Sequence, residues 1–324
     1  MTPPRSVRVG TRTVAVSVFL LLVAGALVTS TGSGLAVPDW PLSYGKLMPP
    51  MVGGILYEHG HRMIAATVAT MVGLQILLLG FGRTDRTTFR LGLAAFGAIL
   101  AQAVLGGLTV LFLLPPAVSS AHAGLAQVVF ALTATIALRT SLFWRRFSEE
   151  PPRAERDALA KAARLAPWAA GASYLQILLG AIVRHTGAGL AIPDWPLSFG
   201  KLVPSGAEWA ASGVLAHFAH RTFAWVVVAL VVAAALALRK LGAVPGLRAL
   251  STLWLALLAA QVALGATSVW TAKAVPVTAA HLAVGGLLWI AGVLASVLLA
   301  RLSALSTAPA TAAAGAGETA PVPA

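Results

Sequence analysis

Seven histidines stand in a chain with no cysteine and only ten carboxylates: His59, His61, His122, His185, His217, His220 and His281. Four of them repeat. His61 and His220 each precede an arginine and lie 159 residues apart, and His122 and His281 are separated by the same 159 residues. The absence of thiols excludes disulfides, thiolate-bound metals and a cysteine nucleophile. Neutral imidazole is an axial ligand for haem iron, and a bundle interior is a common place for that cofactor. Two histidines per half, repeated, fit iron bound in a haem better than a tetrahedral zinc or copper site, which two ligands do not fill. A proton path would also use histidines, but it does not require pairing.

The two pairs differ in one neighbour. Glu58-His59-Gly60-His61-Arg62 places a carboxylate three residues before the imidazole, on the same helix face. The second copy reads His217-Phe218-Ala219-His220-Arg221, so His217 stands where Glu58 does. A carboxylate one turn from a ligand suits a site where protons move. The i, i+4 spacing equally suits an ion pair between Glu58 and Arg62. A half with histidines alone suits a held electron-transfer haem. Arg62 and Arg221 have the guanidinium fork to meet haem propionates, or they solvate a helix end; the sequence leaves both open. His59 falls on the opposite helix face from His61, and His185 replaces Ser30 at a membrane edge; neither carries an assigned role.

The elements that must position these groups are membrane helices. The chain is 58 % hydrophobic and 10 % charged, with a mean hydropathy of +0.85. Eight apolar stretches are long enough to span a bilayer, at roughly 13–30, 55–81, 89–111, 119–140, 166–184, 211–238, 247–270 and 277–300. Segments 1–12, 82–90, 139–164, 239–248 and 301–324 hold 17 of the 23 Lys and Arg residues. The net charge of +13 is thus the positive-inside signal rather than a nucleic-acid surface. Both termini are expected in the cytoplasm of a multi-pass cell-membrane protein. Each paired histidine opens an even-numbered span, about 5–15 Å below the outer edge at 1.5 Å per residue. Arg5, Arg8 and Arg12 before the first span have the look of a signal peptide. A mid-chain copy of that span's end argues that it is retained. The final ALSTAPATAAAGAGETAPVPA is poor in bulky apolar groups, and 302–324 reads as a disordered tail.

A loop also recurs. TGSGLAVPDWPLSYGKLMPP (31–50) returns as TGAGLAIPDWPLSFGKLVPS (186–205), with fifteen of twenty positions identical. Asp39 and Asp194 are expected to organise their turns by side-chain to backbone hydrogen bonds, with Trp40 and Trp195 as interface anchors and Lys46 and Lys201 solvated. Four spans per half give both copies the same orientation. The predicted fold is all-α, two pseudo-symmetric parallel four-helix bundles: 1–138 as the N-terminal half, 139–165 as a basic linker, 166–301 as the C-terminal half. The loops face outward and are placed to cover a haem edge in each half.

The ordered set GALVTSTGSGL, PDWPL, Glu58-x-x-His61-Arg62, Ala121-His122, VRHTGAGLA with the second PDWPL, His220-Arg221 and Ala280-His281 resembles the haem A synthase family of cytochrome oxidase assembly, over roughly residues 15–300. The resemblance implies oxidation of the C8 methyl of haem O to a formyl group by two successive hydroxylations, giving haem A for the terminal oxidase. It implies a haem b cofactor held by His220 and His281, substrate haem O near His61 and His122, and Glu58 as the catalytic acidic residue, removing a proton or stabilising positive charge at the oxidised carbon. It further implies a haem O synthase as supplier and an electron donor that the sequence does not name; the oligomeric state, a homo-oligomer included, stays open. Many relatives carry cysteines around the loop, where this chain has Val37 and Ser43, and Ile192 and Ser198. A di-haem b-type electron-transfer protein, a haem transporter and an assembly factor without catalysis are the competing readings.

Overall fold

The computed structural model describes residues 3–149, 155–242, 244 and 246–307. Among them run nine α-helices: α1 (Arg5–Ser30), α2 (Gly54–Phe81), α3 (Arg86–Leu111), α4 (Pro116–Arg139), α5 (Leu142–Glu149), α6 (Arg156–His185), α7 (Val214–Lys240), α8 (Leu247–Trp270) and α9 (Val275–Thr307). All but α5 are long and apolar enough to cross a membrane, which makes this an all-helical multi-pass membrane protein. No strand occurs among the described residues; two isolated bridges, Ser43 with Lys46 and Ser198 with Lys201, pin the repeated loops.

The helices exceed the apolar runs at their charged ends. Helix α6 starts ten residues before the predicted 166, through Arg156, Lys161 and Arg164, and α9 continues through 302–307, which composition alone had read as tail. The rest of that tail lies outside the described residues, as does 150–154 of the linker. The linker's first part folds as α5, where Phe143 and Phe147 sit 5.7 Å apart, centroid to centroid, on one face. Eight residues with two arginines are too short and too polar to register as a span.

Helices α1, α2, α3 and α4 contact one another in a closed ring, and α6, α7, α8 and α9 do the same; the rings meet through α4 with α6 and through α1 and α4 with α9. Lipid tails are as apolar as leucine, so such contacts rest on close packing and polar links rather than on exclusion of water. Small residues let the backbones approach: Ala162, Ala166, Ala169 and Ala170 on α6 and Ala291 and Ala295 on α9 are all buried. Gly292 leaves the space that Trp254 fills, since a Cβ there would lie 2.7 Å from the indole. At the basic end, Asp85 caps α3 by accepting from the Thr88 N–H at 3.1 Å, and Arg139 at the foot of α4 donates to the same carboxylate at 2.8 Å.

Candidate functional site

All four paired histidines stand at the end of the molecule that carries the two loops. His61, His122, His220 and His281 come six or seven residues into α2, α4, α7 and α9, so each lies about 10 Å along its helix. His61 and His122 are within electrostatic reach of each other, and so are His220 and His281. Each ring faces a glycine on a neighbouring helix. A Cβ at Gly25 would lie 3.2 Å from the His61 ring, at Gly106 3.1 Å from His122, at Gly180 2.9 Å from His220, and at Gly265 3.2 Å from His281. At Gly180 a Cβ would force the ring to shift; at the other three the ring would have to give by a few tenths of an ångström. The sequence offers no signal for these glycines, because it does not say which helix faces which.

Glutamines flank three of the rings. Gln102 donates to the His122 carbonyl at 2.9 Å. Gln176 donates to the His220 carbonyl at 2.9 Å and reaches its Nδ1 at 3.1 Å, and Gln261 stands 3.4 Å from His281 Nε2. The counterpart of Gln176 in the first half is Leu21, so His61 has no such neighbour. The His61, His122 and His281 Nδ1 atoms are sealed from solvent without a partner.

The loops close over this end in nearly the same way twice. Asp39 accepts from the N–H groups of Tyr44 (2.7 Å) and Gly45 (2.8 Å); Asp194 accepts from Phe199 (2.7 Å) and Gly200 (2.7 Å). Tyr44–Gly45 and Phe199–Gly200 all have positive φ, the requirement of a tight two-residue turn that glycine meets at its second place. The Gly45 and Tyr44 N–H groups hold the Asp39 carboxyl below its usual range. For Asp194, burial pulls upward, but the Gly200 and Phe199 N–H groups prevail and lower it. The aspartates therefore do what their Pro/Trp context predicts. Trp40, expected as an interface anchor, packs its ring inward. Its ring occupies the space beside Gly107, the residue after Gly106 that backs His122. Trp195 instead meets Trp270 edge-on at 5.5 Å.

Below the loops the halves part. Glu58 is buried; its Oε2 accepts from the Val37 N–H at 2.8 Å and its Oε1 from Arg62 at 2.6 Å. The ion pair that the spacing allowed is thus formed. Arg62 also donates to the carbonyls of Asp39 (2.7 Å), Leu42 (2.9 Å) and Val37 (3.2 Å), which commits both of its terminal nitrogens to the loop. His59, buried on the other helix face, meets Ser43 Oγ through Nδ1 at 2.7 Å. In the second half His217 Nδ1 accepts from the Ile192 N–H at 3.2 Å, replacing Glu58 in its anchoring role. Arg221 donates to the carbonyls of Asp194 (2.8 Å), Leu197 (2.8 Å) and Pro196 (3.1 Å). Phe218 replaces His59 and packs on Trp209.

Between the halves lies a contact with no signal in the sequence. Arg184, in the last turn of α6, donates through Nη2 to the Ala26 carbonyl (2.7 Å) and to Ser30 Oγ (2.6 Å) of α1, and Thr278 of α9 donates to the same Ser30 at 3.0 Å. His185 has Arg184 and, from the other half, His122 within electrostatic reach.

A haem fits these residues. Each half offers two imidazoles from different helices, rings packed closely against a glycine of a neighbouring helix, and buried ring nitrogens without partners. Among the described residues no cluster of three or more His, Asp or Glu could hold a bare metal ion. The profile of a family described as "Cytochrome oxidase assembly protein" matches residues 53–293. A protein of Symbiobacterium thermophilum named "Heme A synthase" is 34 % identical over 256 residues, 77 % of this chain and 81 % of that protein. One of the same name from Bacillus cereus is 30 % identical over 232 residues, 68 % of this chain and 70 % of that protein. Another, from Geobacillus thermodenitrificans, is 30 % identical over 242 residues, covering 71 % of this chain and 73 % of its own length.

Proposed function

The chain belongs to the cytochrome oxidase assembly family that includes the haem A synthases, and from that premise we propose that it is itself a haem A synthase. It oxidises the C8 methyl of haem O to a formyl group for cytochrome oxidase biogenesis, by two successive hydroxylations and loss of water. The observation that carries this reading is the asymmetry of the two halves. Only the first pair, His61 and His122, stands under a loop held by a carboxylate, Glu58, one turn from His61. The second pair has a neutral acceptor, His217, in the same anchoring place.

His61 and His122 are assigned to substrate haem O, and His220 and His281 to a haem b cofactor. When bound, that haem supplies a one-electron relay toward the first half. The chain's own residues orient and enclose. Gly25, Gly106, Gly180 and Gly265 leave room for the imidazole rings, the loops cover the site, and Glu58 takes up a proton or stabilises positive charge at the oxidised carbon. Acid–base groups so placed contribute on the order of 100- to 10,000-fold. Arg62 and Arg221, the arginines read from sequence as propionate contacts, each spend both terminal nitrogens on loop carbonyls or Glu58.

The protein is placed in the cell membrane, with the basic end and both termini cytoplasmic and the loops outside, which the Lys and Arg distribution supports. A haem O synthase supplies the substrate; each hydroxylation needs an oxidant that delivers an oxygen atom, and where that is dioxygen an external donor supplies the two electrons that reduce its second atom to water, without a loop thiol pair because the chain has no cysteine. Extraction and chromatography of haems from cells that also make haem O test the proposal. Wild type should yield haem A with haem b. His220→Ala should lose the haem b, and His61→Ala should keep haem b and make no haem A. A di-haem electron carrier, favoured by the two histidine pairs alone, would yield haem b only and sink the synthase reading, as would a transporter that released haem O unchanged.

A further inference from the structure

Arg184 is largely buried and has no carboxylate partner among the described residues. The four acidic side chains at the loop end are committed elsewhere: Glu58 to Arg62 and Val37, Asp39 and Asp194 to their own turns, Glu208 to Lys201 and the Ser205 N–H. Only Nη2 of Arg184 is spent, on the Ala26 carbonyl and Ser30. Those acceptors cancel part of its charge, as do the C-terminal dipoles of α1 and α6. A desolvated guanidinium still calls for an anion, and its remaining N–H groups suit a carboxylate held in bidentate fashion. Its position narrows the choice. Ala26 follows Gly25, which backs His61 in the first half, and His281 of the second half lies within electrostatic reach of Arg184. His185 extends the polar strip toward His122.

We infer that Arg184, with His185 beside it, is a carboxylate-binding element at the seam between the halves, and that it takes a propionate of the haem held by His220 and His281. It thereby fixes one edge of that macrocycle against the first half. This rests on the haem reading above. Neither the arginine nor the ligand signals the contact in sequence, because the first half has Thr29 and Ser30 at the matching places.

The test uses purified full-length protein in detergent, loaded either with haem b or with its propionate dimethyl ester, and follows haem transfer to an apo-globin acceptor together with the reduction potential. Arg184→Gln should speed loss of haem b by about 10- to 150-fold, a charge-assisted bond being worth roughly 1.5–3 kcal/mol, and lower its potential, because a positive charge near the iron is removed. Arg184→Lys should keep most of the potential. The ester should leave wild type as fast as haem b leaves Arg184→Gln, and the variant should not distinguish ester from acid. Ser30→Ala and Thr278→Ala, which break the seam bonds but keep the charge, separate binding from packing; they should leave the potential unchanged. The inference is overturned if ester and Arg184→Gln effects simply add, if the variant behaves as wild type, or if Ser30→Ala reproduces it. Wild type that binds no haem at all would overturn the haem reading as well, a result distinct from those three.

Discussion

The two loops have the same shape and different foundations. Under the first lie Glu58, His59 and Arg62; under the second lie His217, Phe218 and Arg221. In both, one acceptor on the helix takes the N–H of the residue before Pro-Asp-Trp-Pro, and one arginine gathers loop carbonyls. The backbone needs an acceptor at that point; it does not need a carboxylate. Glu58 thus meets a structural demand that imidazole meets equally well, and the carboxylate is a surplus that chemistry can use.

Swapping the acceptors separates the two jobs, with the largest expected effect. Glu58→His copies the second half. It should preserve the loop and haem b while cutting haem A formation by on the order of 100-fold or more, measured by haem chromatography; His217→Glu should change haem A yield little. If Glu58→His made haem A at the wild-type rate, the carboxylate would be a loop anchor and nothing else. Next come the glycines. Gly180→Leu drives a side chain into the place of the His220 ring, where even a Cβ would lie 2.9 Å away, and should abolish the optical bands of the second-half haem. Gly25→Leu should leave those bands and stop haem A formation.

A smaller effect is expected from the Ser43–His59 contact, which has no counterpart under the second loop. Val37 and Ile192 are both fully buried, and with no native thiol a cysteine placed at either one reports loop opening by its rate of maleimide labelling. Ser43→Ala or His59→Phe should raise labelling of Val37→Cys about fivefold, the equivalent of ~1 kcal/mol for one hydrogen bond. Labelling of Ile192→Cys should not move. Smallest at neutral pH is the contribution of the turn aspartates. Their carboxyls are held below the ordinary value of 3.8, so the stabilisation is present above that value and is lost as pH falls through the lowered folded pKa. A nitroxide at Lys46→Cys should keep one line shape from pH 7 to about 5 and sharpen only below about 4.

Much of this was legible in the chain. The eight spans fall out of hydropathy, and the four histidines and the Glu58/His217 exchange fall out of a repeat that survives at offsets of 155 and 159. The Asp39 and Asp194 turns follow from local chemistry. What stayed hidden depends on neighbours distant in sequence. Gly25 and His61 sit on different helices, Ser43 reaches His59 across a loop, and Arg184 meets Ser30 across 154 residues. Hydropathy also ends a helix where charge begins, which is why α6 and α9 outran their predicted limits.

The interchangeable acceptor has a consequence for how such a protein changes over time. When a fold is duplicated, each copy usually stays tied to the residues that keep it folded. Here the tie at position 58 or 217 asks only for a lone pair. Either half can therefore carry imidazole or carboxylate there, and exchanging one for the other changes the charge beneath the loop without removing its anchor.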